Sequence, residues 1–161
     1  RSDVTKALHG VEWTTLAFFA GLFIIVGGMV ETGTISALAN GLIDVTGGNV
    51  FLTMIVLVFA SAVVSSFLDN IPFVATMIPL IQNMGAMGIT NLEPLWWALA
   101  LGACLGGNGT LIGASANVVL SDISAKHGHA ITFMQYLKIG FPMMAMSVAI
   151  AAIYLVMRFP A

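Results

Sequence analysis

The chain has 161 residues, of which 59% are hydrophobic and 7% charged, with a formal net charge of −2. A soluble domain carries about 25% charged residues, so this composition describes an integral membrane protein. The near-neutral balance without a basic cluster excludes a nucleic-acid partner, and the lone Cys104 excludes a disulfide framework or a thiolate metal site within the chain.

Residues 1–10, RSDVTKALHG, are polar and read as a cytosolic connector. With neither an initiator Met nor a cleavable signal, the chain is expected to be part of a larger protein. Residues 12–30 form the first spanning segment, with Glu12 and Trp13 at the interface where an acid and an aromatic suit the first turn. Gly27 and Gly28 permit close packing or a weakened last turn. Residues 34–46 place Ile35, Leu38, Leu42 and Ile43 at helical spacing between Ser36, Asn40 and Asp44. That segment is too short to span and reads as an interfacial amphipathic helix, with Glu31 and Asp44 solvated beside the bilayer. Gly47-Gly48-Asn49 is a turn.

Residues 50–84 read as a re-entrant hairpin. Two apolar arms, 50–64 and 74–84, flank SSFLDNIPF at 65–73. The second arm rises only about 17–20 Å as a helix, against a hydrocarbon core about 30 Å thick. The polar tip, Asp69-Asn70, is therefore expected near the membrane midplane, where irregular backbone survives only in protein or beside water. Pro72 suits the start of the rising arm, and Pro79 should kink it. Residues 82–93 form a polar loop. Residues 94–122 read as a broken spanning helix: Pro94 and the belt anchors Trp96 and Trp97 open it, and GGNGTLIGASAN at 106–117 interrupts it. Residues 124–129 form a connector containing His127 and His129, 131–139 an interfacial arm, and 140–158 the last span. On this path Arg1, Lys6, Lys126 and Lys138 share one side and Arg158 the other, so the majority side is cytosolic.

Where a helix stops, its backbone groups lose their partners. Freed carbonyls attract a cation and freed N–H groups an anion. Gly106, Gly107, Gly109 and Gly113 let the backbone take positive φ and approach an ion closely. Ser65, Ser66, Asn70, Asn108, Thr110, Ser115 and Asn117 add hard oxygen atoms, which suit Na⁺ and not soft metals. Asp69 is the one carboxylate in this inner set. A carboxylate with restricted water holds one proton or one cation, which is an exchange device. The candidate ion or substrate site is thus Ser65, Ser66, Asp69, Asn70, Gly107, Asn108, Gly109, Thr110, Ser115 and Asn117, with Na⁺ placed at Asp69, Asn70, Asn108, Thr110 and Asn117. Asp69 also reads as a cap of the second arm, the GGNG stretch as a packing device, and Cys104 as a small buried packing residue.

VEWTTLAFFAGLFIIVGGMVETG (11–33), SSFLDNIPFVATMIPLI (65–81) and PLWWALALGACLGGNGTLIGASANVV (94–119) together resemble the arsenite-permease, sodium/proton-antiporter and melanosomal P-protein group of the ion transporter superfamily. The resemblance implies an all-α membrane fold built as one half of an inverted repeat, here the C-terminal one. It implies the N-terminal half of the same permease as a partner, a homodimer, and a bacterial inner-membrane location. It also implies secondary transport by alternating access of a small inorganic ion or organic anion, coupled to Na⁺ or H⁺. Leu68-Asp69-Asn70 departs from the Ser-Asn-Thr tip of the dicarboxylate branch and favours a cation-coupled or antiport branch. Two other readings remain: a non-transporting assembly subunit, and an intramembrane hydrolase. The latter needs a Ser/His or paired-Asp arrangement at membrane depth, which these residues do not offer.

Overall fold

The computed structural model describes residues 13–160, as seven α-helices with no strand among them. In chain order they are α1 (Trp13–Glu31), α2 (Thr34–Thr46), α3 (Val50–Ser65), α4 (Asn70–Ala86), α5 (Glu93–Gly106), α6 (Ser115–Lys126) and α7 (Phe133–Arg158). The expected connector at 1–10, Glu12 at the interface, and the placement of Arg1 and Lys6 lie outside the described residues.

The helix boundaries follow local chemistry. Gly33, Gly47 and Gly48 bracket α2 with φ of 73°, 60° and 72°, a left-handed conformation that other residues rarely adopt. The Asn49 side chain accepts the Leu52 N–H at 3.0 Å and starts α3. Pro94 sits in the first turn of α5, where its missing N–H costs nothing. Thr132 and Gln135 form a capping box that starts α7.

α3 and α5 are the central pair. Gly102 and Gly106 lie one turn apart on α5 and face the backbone of α3. A Cβ at Gly102 would stand 2.5 Å from the Val58 carbonyl oxygen and 2.8 Å from the Ser61 Cβ. This is the small-residue packing that lets membrane helices approach closely. Ser65 uses the closeness, donating to the Ala103 carbonyl at 2.8 Å. α7 covers α5 with Met144, Val148, Ala152 and Leu155, and α2 lies on α4 through Ile35 and Ala39, all buried. Asn83 Nδ2 on α4 donates to Ser36 Oγ on α2 at 3.1 Å.

The outer surface is apolar. Phe23, Ile24 and Ile25 on α1 are 60–75% exposed, as are Ile150, Ile153 and Met157 on α7 at 60–71%. α6 buries none of its residues and presents Val118, Val119 and Leu120 outward. Such a surface suits lipid or further protein and not water. Among the described residues, α7 alone is long and apolar enough to cross a membrane by itself. The apolar part of α1 and α2 meet that criterion together, with a bend of 66° between them.

Four differences from the sequence reading have physical reasons. The expected arm at 131–139 and span at 140–158 form one helix of 26 residues, because the capping box starts it early and no stop signal follows. Pro142 and Gly140 are absorbed within it. α4 continues to Ala86, so the loop expected at 82–93 shrinks to 87–92, turned by Gly88 at φ 109°. α6 extends to Lys126, whose ammonium pairs with Asp122 one turn back at 2.6 Å. Gly27 and Gly28 are exposed, and a methyl group added at either would meet nothing within 4 Å, so neither packs closely against the described residues.

Gly102→Ala in the full-length protein is expected to lower stability by about 1–3 kcal/mol, because the backbone of α3 cannot yield as a side chain would. Thermal unfolding in detergent reads this; an unchanged melting temperature would mean that α3 and α5 do not meet at this position.

Candidate functional site

α3 and α5 both stop at the same end of their shared interface. Past Ser65 the chain turns through 66–69, and past Gly106 it runs irregularly from 107 to 114. These two interruptions touch. A Cβ on Gly109 would stand 2.8 Å from the Ser66 Cβ, and one on Gly113 would stand 2.7 Å from the Ser66 carbonyl oxygen. The contact is stitched by side chains. Thr110 Oγ1 donates to the Ser66 carbonyl across the joint, with both residues fully buried. Asn117 Nδ2, from the first turn of α6, donates to the Gly107 carbonyl at 2.9 Å and the Thr110 carbonyl at 3.1 Å. Ser66 Oγ donates to the Val63 carbonyl at 2.6 Å. Carbonyls that the break releases thus regain donors, as buried backbone requires.

Asp69 is half-buried and makes two kinds of contact. One oxygen accepts the Ile71 N–H at 3.2 Å and caps α4; the other accepts from Ser115 Oγ at 2.7 Å. The carboxylate therefore lies between the first turns of α4 and α6, and each presents the positive end of its dipole. Asn70 is the first residue of α4, and its Oδ1 is buried without a hydrogen-bond partner among the described residues. The position that a Gly107 Cβ would occupy lies 3.0 Å from this Asn70 oxygen and 3.1 Å from the Gly113 carbonyl oxygen. Two oxygen atoms from separate parts of the chain thus border a notch that the glycine keeps open.

The structure brings together Ser65, Ser66, Asp69, Asn70, Gly107, Gly109, Thr110, Ser115 and Asn117. Asn108 is the exception: it faces α7, lining a cavity of about 230 Å³ with Tyr136, Gly140, Met144 and Ser147. The expected role of the glycines is corrected. None of Gly106, Gly107, Gly109 and Gly113 has positive φ; each is needed for space, because its neighbours stand where a methyl would go. Cys104 is likewise exposed and not buried, and it lines an apolar cleft with Phe23, Val26 and Ile78. His127 and His129 belong to the end of α6: His127 Nδ1 lies 2.8 Å from the Ile123 carbonyl oxygen, and Ser124 Oγ donates to the His129 carbonyl. The sequence reading missed Gly102 and Gly140. The pair Gly102 and Gly106, spaced four apart in an apolar stretch, was an available signal. Gly140 had none, since its need arises from the Asn108 carbonyl oxygen, which would stand 2.9 Å from a Cβ there.

Asn117→Ala removes both donors from buried carbonyls and is expected to destabilise by about 1–3 kcal/mol, whereas Ser115→Ala at its exposed bond should cost under about 1 kcal/mol. Melting temperatures of the two variants check this order; the reverse order would contradict the stitching described.

Comparison with known proteins places the chain in a family. A family model described as citrate transporter matches residues 1–102. A protein of Mycobacterium tuberculosis named an uncharacterised transporter is 48% identical over 162 residues, covering 98% of this chain and 38% of that protein. The 46 kDa membrane protein of Mycobacterium leprae is 45% identical over 161 residues, covering 99% and 37%. The human P protein is 43% identical over 161 residues, covering 95% and 19%. The chain spans less than two-fifths of each of these relatives. No solved structure matches it. The chain belongs to the citrate transporter family.

Proposed function

We propose that this chain forms one repeat of a secondary transporter, in which the hairpin α3–α4 and the broken helix α5–α6 move together as the substrate-carrying unit. The repeat is completed by the other half of the same permease. The notch beside Gly107 carries the reading. Asn70 Oδ1 and the Gly113 carbonyl oxygen converge there from the hairpin and the break. The oxygen set suits a hard cation such as Na⁺. The negative C-terminal end of α5 points the same way. Asp69 lies next to Asn70 and supplies the charge that a proton or cation would balance.

Lengths fit a site at depth. α3, α5 and α6 have 16, 14 and 12 residues, or about 24, 21 and 18 Å of helix. Each is shorter than a hydrocarbon core of about 30 Å, so the joint they share falls inside it. A transmembrane voltage then contributes about 2.3 kcal/mol per charge per 100 mV. The cargo is a small inorganic ion or organic anion, and Na⁺ or H⁺ is the coupling ion.

The test is ion-gradient-driven uptake by the full-length protein in proteoliposomes, run against a panel of Na⁺, H⁺, arsenite and carboxylates. Asp69→Asn is expected to abolish coupling. Gly107→Ala is expected to raise the concentration of coupling ion needed by about tenfold or more, equivalent to about 1.4 kcal/mol of lost binding. Normal coupling in both variants would remove this notch from the mechanism. Absence of labelled-sodium binding and of any driven flux in the wild type would favour an assembly subunit.

A further inference from the structure

The end of the bundle away from the break has a cleft of its own. α3 and α5 begin there and α7 ends there, around a cavity of about 560 Å³ walled by Asn49, Phe51, Met54, Pro94, Arg158 and Phe159. The whole of α3, 16 residues, separates it from the hairpin tip, about 24 Å of helix. Half of a hydrocarbon core is about 15 Å. With the tip near the midplane, a placement that rests on the proposed function, the cleft lies at the bilayer surface.

The cleft is two-sided chemically. Its floor is apolar: Met54 is fully buried and Pro94 is buried. Its rim carries a guanidinium. Arg158 is exposed, lies 5.0 Å from the Phe159 ring centroid, and takes no part in the one ion pair among the described residues, which joins Lys126 to Asp122. α3 adds donors. Asn49 accepts the Leu52 N–H with its side chain and the Thr53 N–H with its carbonyl. The Val50 and Phe51 N–H groups precede the first intrahelical bond and are left for another acceptor. Both residues line the cleft. α5 adds none, because Pro94 has no N–H and Asn91 accepts the Glu93 N–H. Glu93 itself is exposed and does not line the cleft. The positive-inside rule gives no reason for Arg158, which stands on the non-cytosolic side of the charge-based topology.

We propose that this cleft binds the phosphate headgroup of an anionic phospholipid. Arg158 and the first N–H groups of α3 hold the phosphate. The lipid's apolar part lies along Phe51 and the exposed Ile153 and Met157 of α7. Positive charge on the rim meets the negative phosphate, and the apolar floor meets the acyl chain; inorganic phosphate would use only the first.

The experiment is native mass spectrometry of the full-length protein after incubation with equal amounts of phosphatidylglycerol and phosphatidylcholine. The wild type is expected to retain phosphatidylglycerol preferentially. Arg158→Ala should cut that preference about fivefold, the equivalent of about 1 kcal/mol for one basic group at an anionic lipid surface. Arg158→Lys should keep most of it, and Lys126→Ala should leave it unchanged. Arg158→Gln carries the same expectation as Arg158→Ala should the latter not fold. An intact preference in the Arg158 variants, an equal loss in Lys126→Ala, or binding of inorganic phosphate without any lipid preference would each overturn the proposal. The readout needs no transport, so its failure and that of the transport reading are separable.

Discussion

The approach of α5 to α3 is the constraint on which the remaining features rest. Gly102 and Gly106 present no side chain to Val58, Ser61 and Ala62, so the two backbones come close enough for Ser65 to reach a carbonyl on the neighbouring helix. Because the helices run together over this interface and stop at one end of it, the turn at 66–69 and the irregular stretch at 107–114 are delivered to the same place. A larger side chain at either glycine would separate the pair, and the joint would lose its register before any polar residue was altered.

At that joint the polar residues divide their work. Buried irregular backbone must find donors and acceptors within the protein. Ser65, Ser66, Thr110 and Asn117 are committed to that task, each donating to a main-chain carbonyl. Asp69 joins the first turns of α4 and α6. Asn70 is different: its oxygen is buried, faces the space beside Gly107, and has no partner among the described residues. An oxygen left unpaired in such a site costs free energy unless something occupies the space in front of it. That residue, more than the hydroxyls around it, carries the proposal of a binding site here.

Much of this was legible in the sequence because interruptions of an apolar run are local signals. Asp69, Asn70 and Pro72 marked the turn between α3 and α4, Gly106 to Asn117 marked the break, and Gly33 and Gly47 bounded α2 to the residue. What was not legible depends on the partner across a contact. A glycine in a polar stretch looks the same whether it is kept for backbone freedom or for space, and only the position of Ser66, Ala62 and Asn70 decides it. The continuity of α7 through Gly140 and Pro142 was hidden because its polar start resembled an interfacial arm. The turning of Asn108 toward Tyr136 and α7, away from the hairpin, follows from the path of the loop and has no counterpart in residue type or spacing.

In the proposed transporter, the turn at 66–69 and the break at 107–114 meet at depth in the bilayer. The most direct measurement is depth profiling by electron paramagnetic resonance of nitroxide labels on the full-length protein in lipid vesicles, one on the exposed Cys104 just before the break and one introduced at the exposed Leu68 beside the tip. Both labels are expected to be reached by dissolved oxygen and shielded from a water-soluble nickel complex, at about 10–15 Å below the interface of a core about 30 Å thick. Either label at headgroup level, or the two at different depths, would contradict that placement.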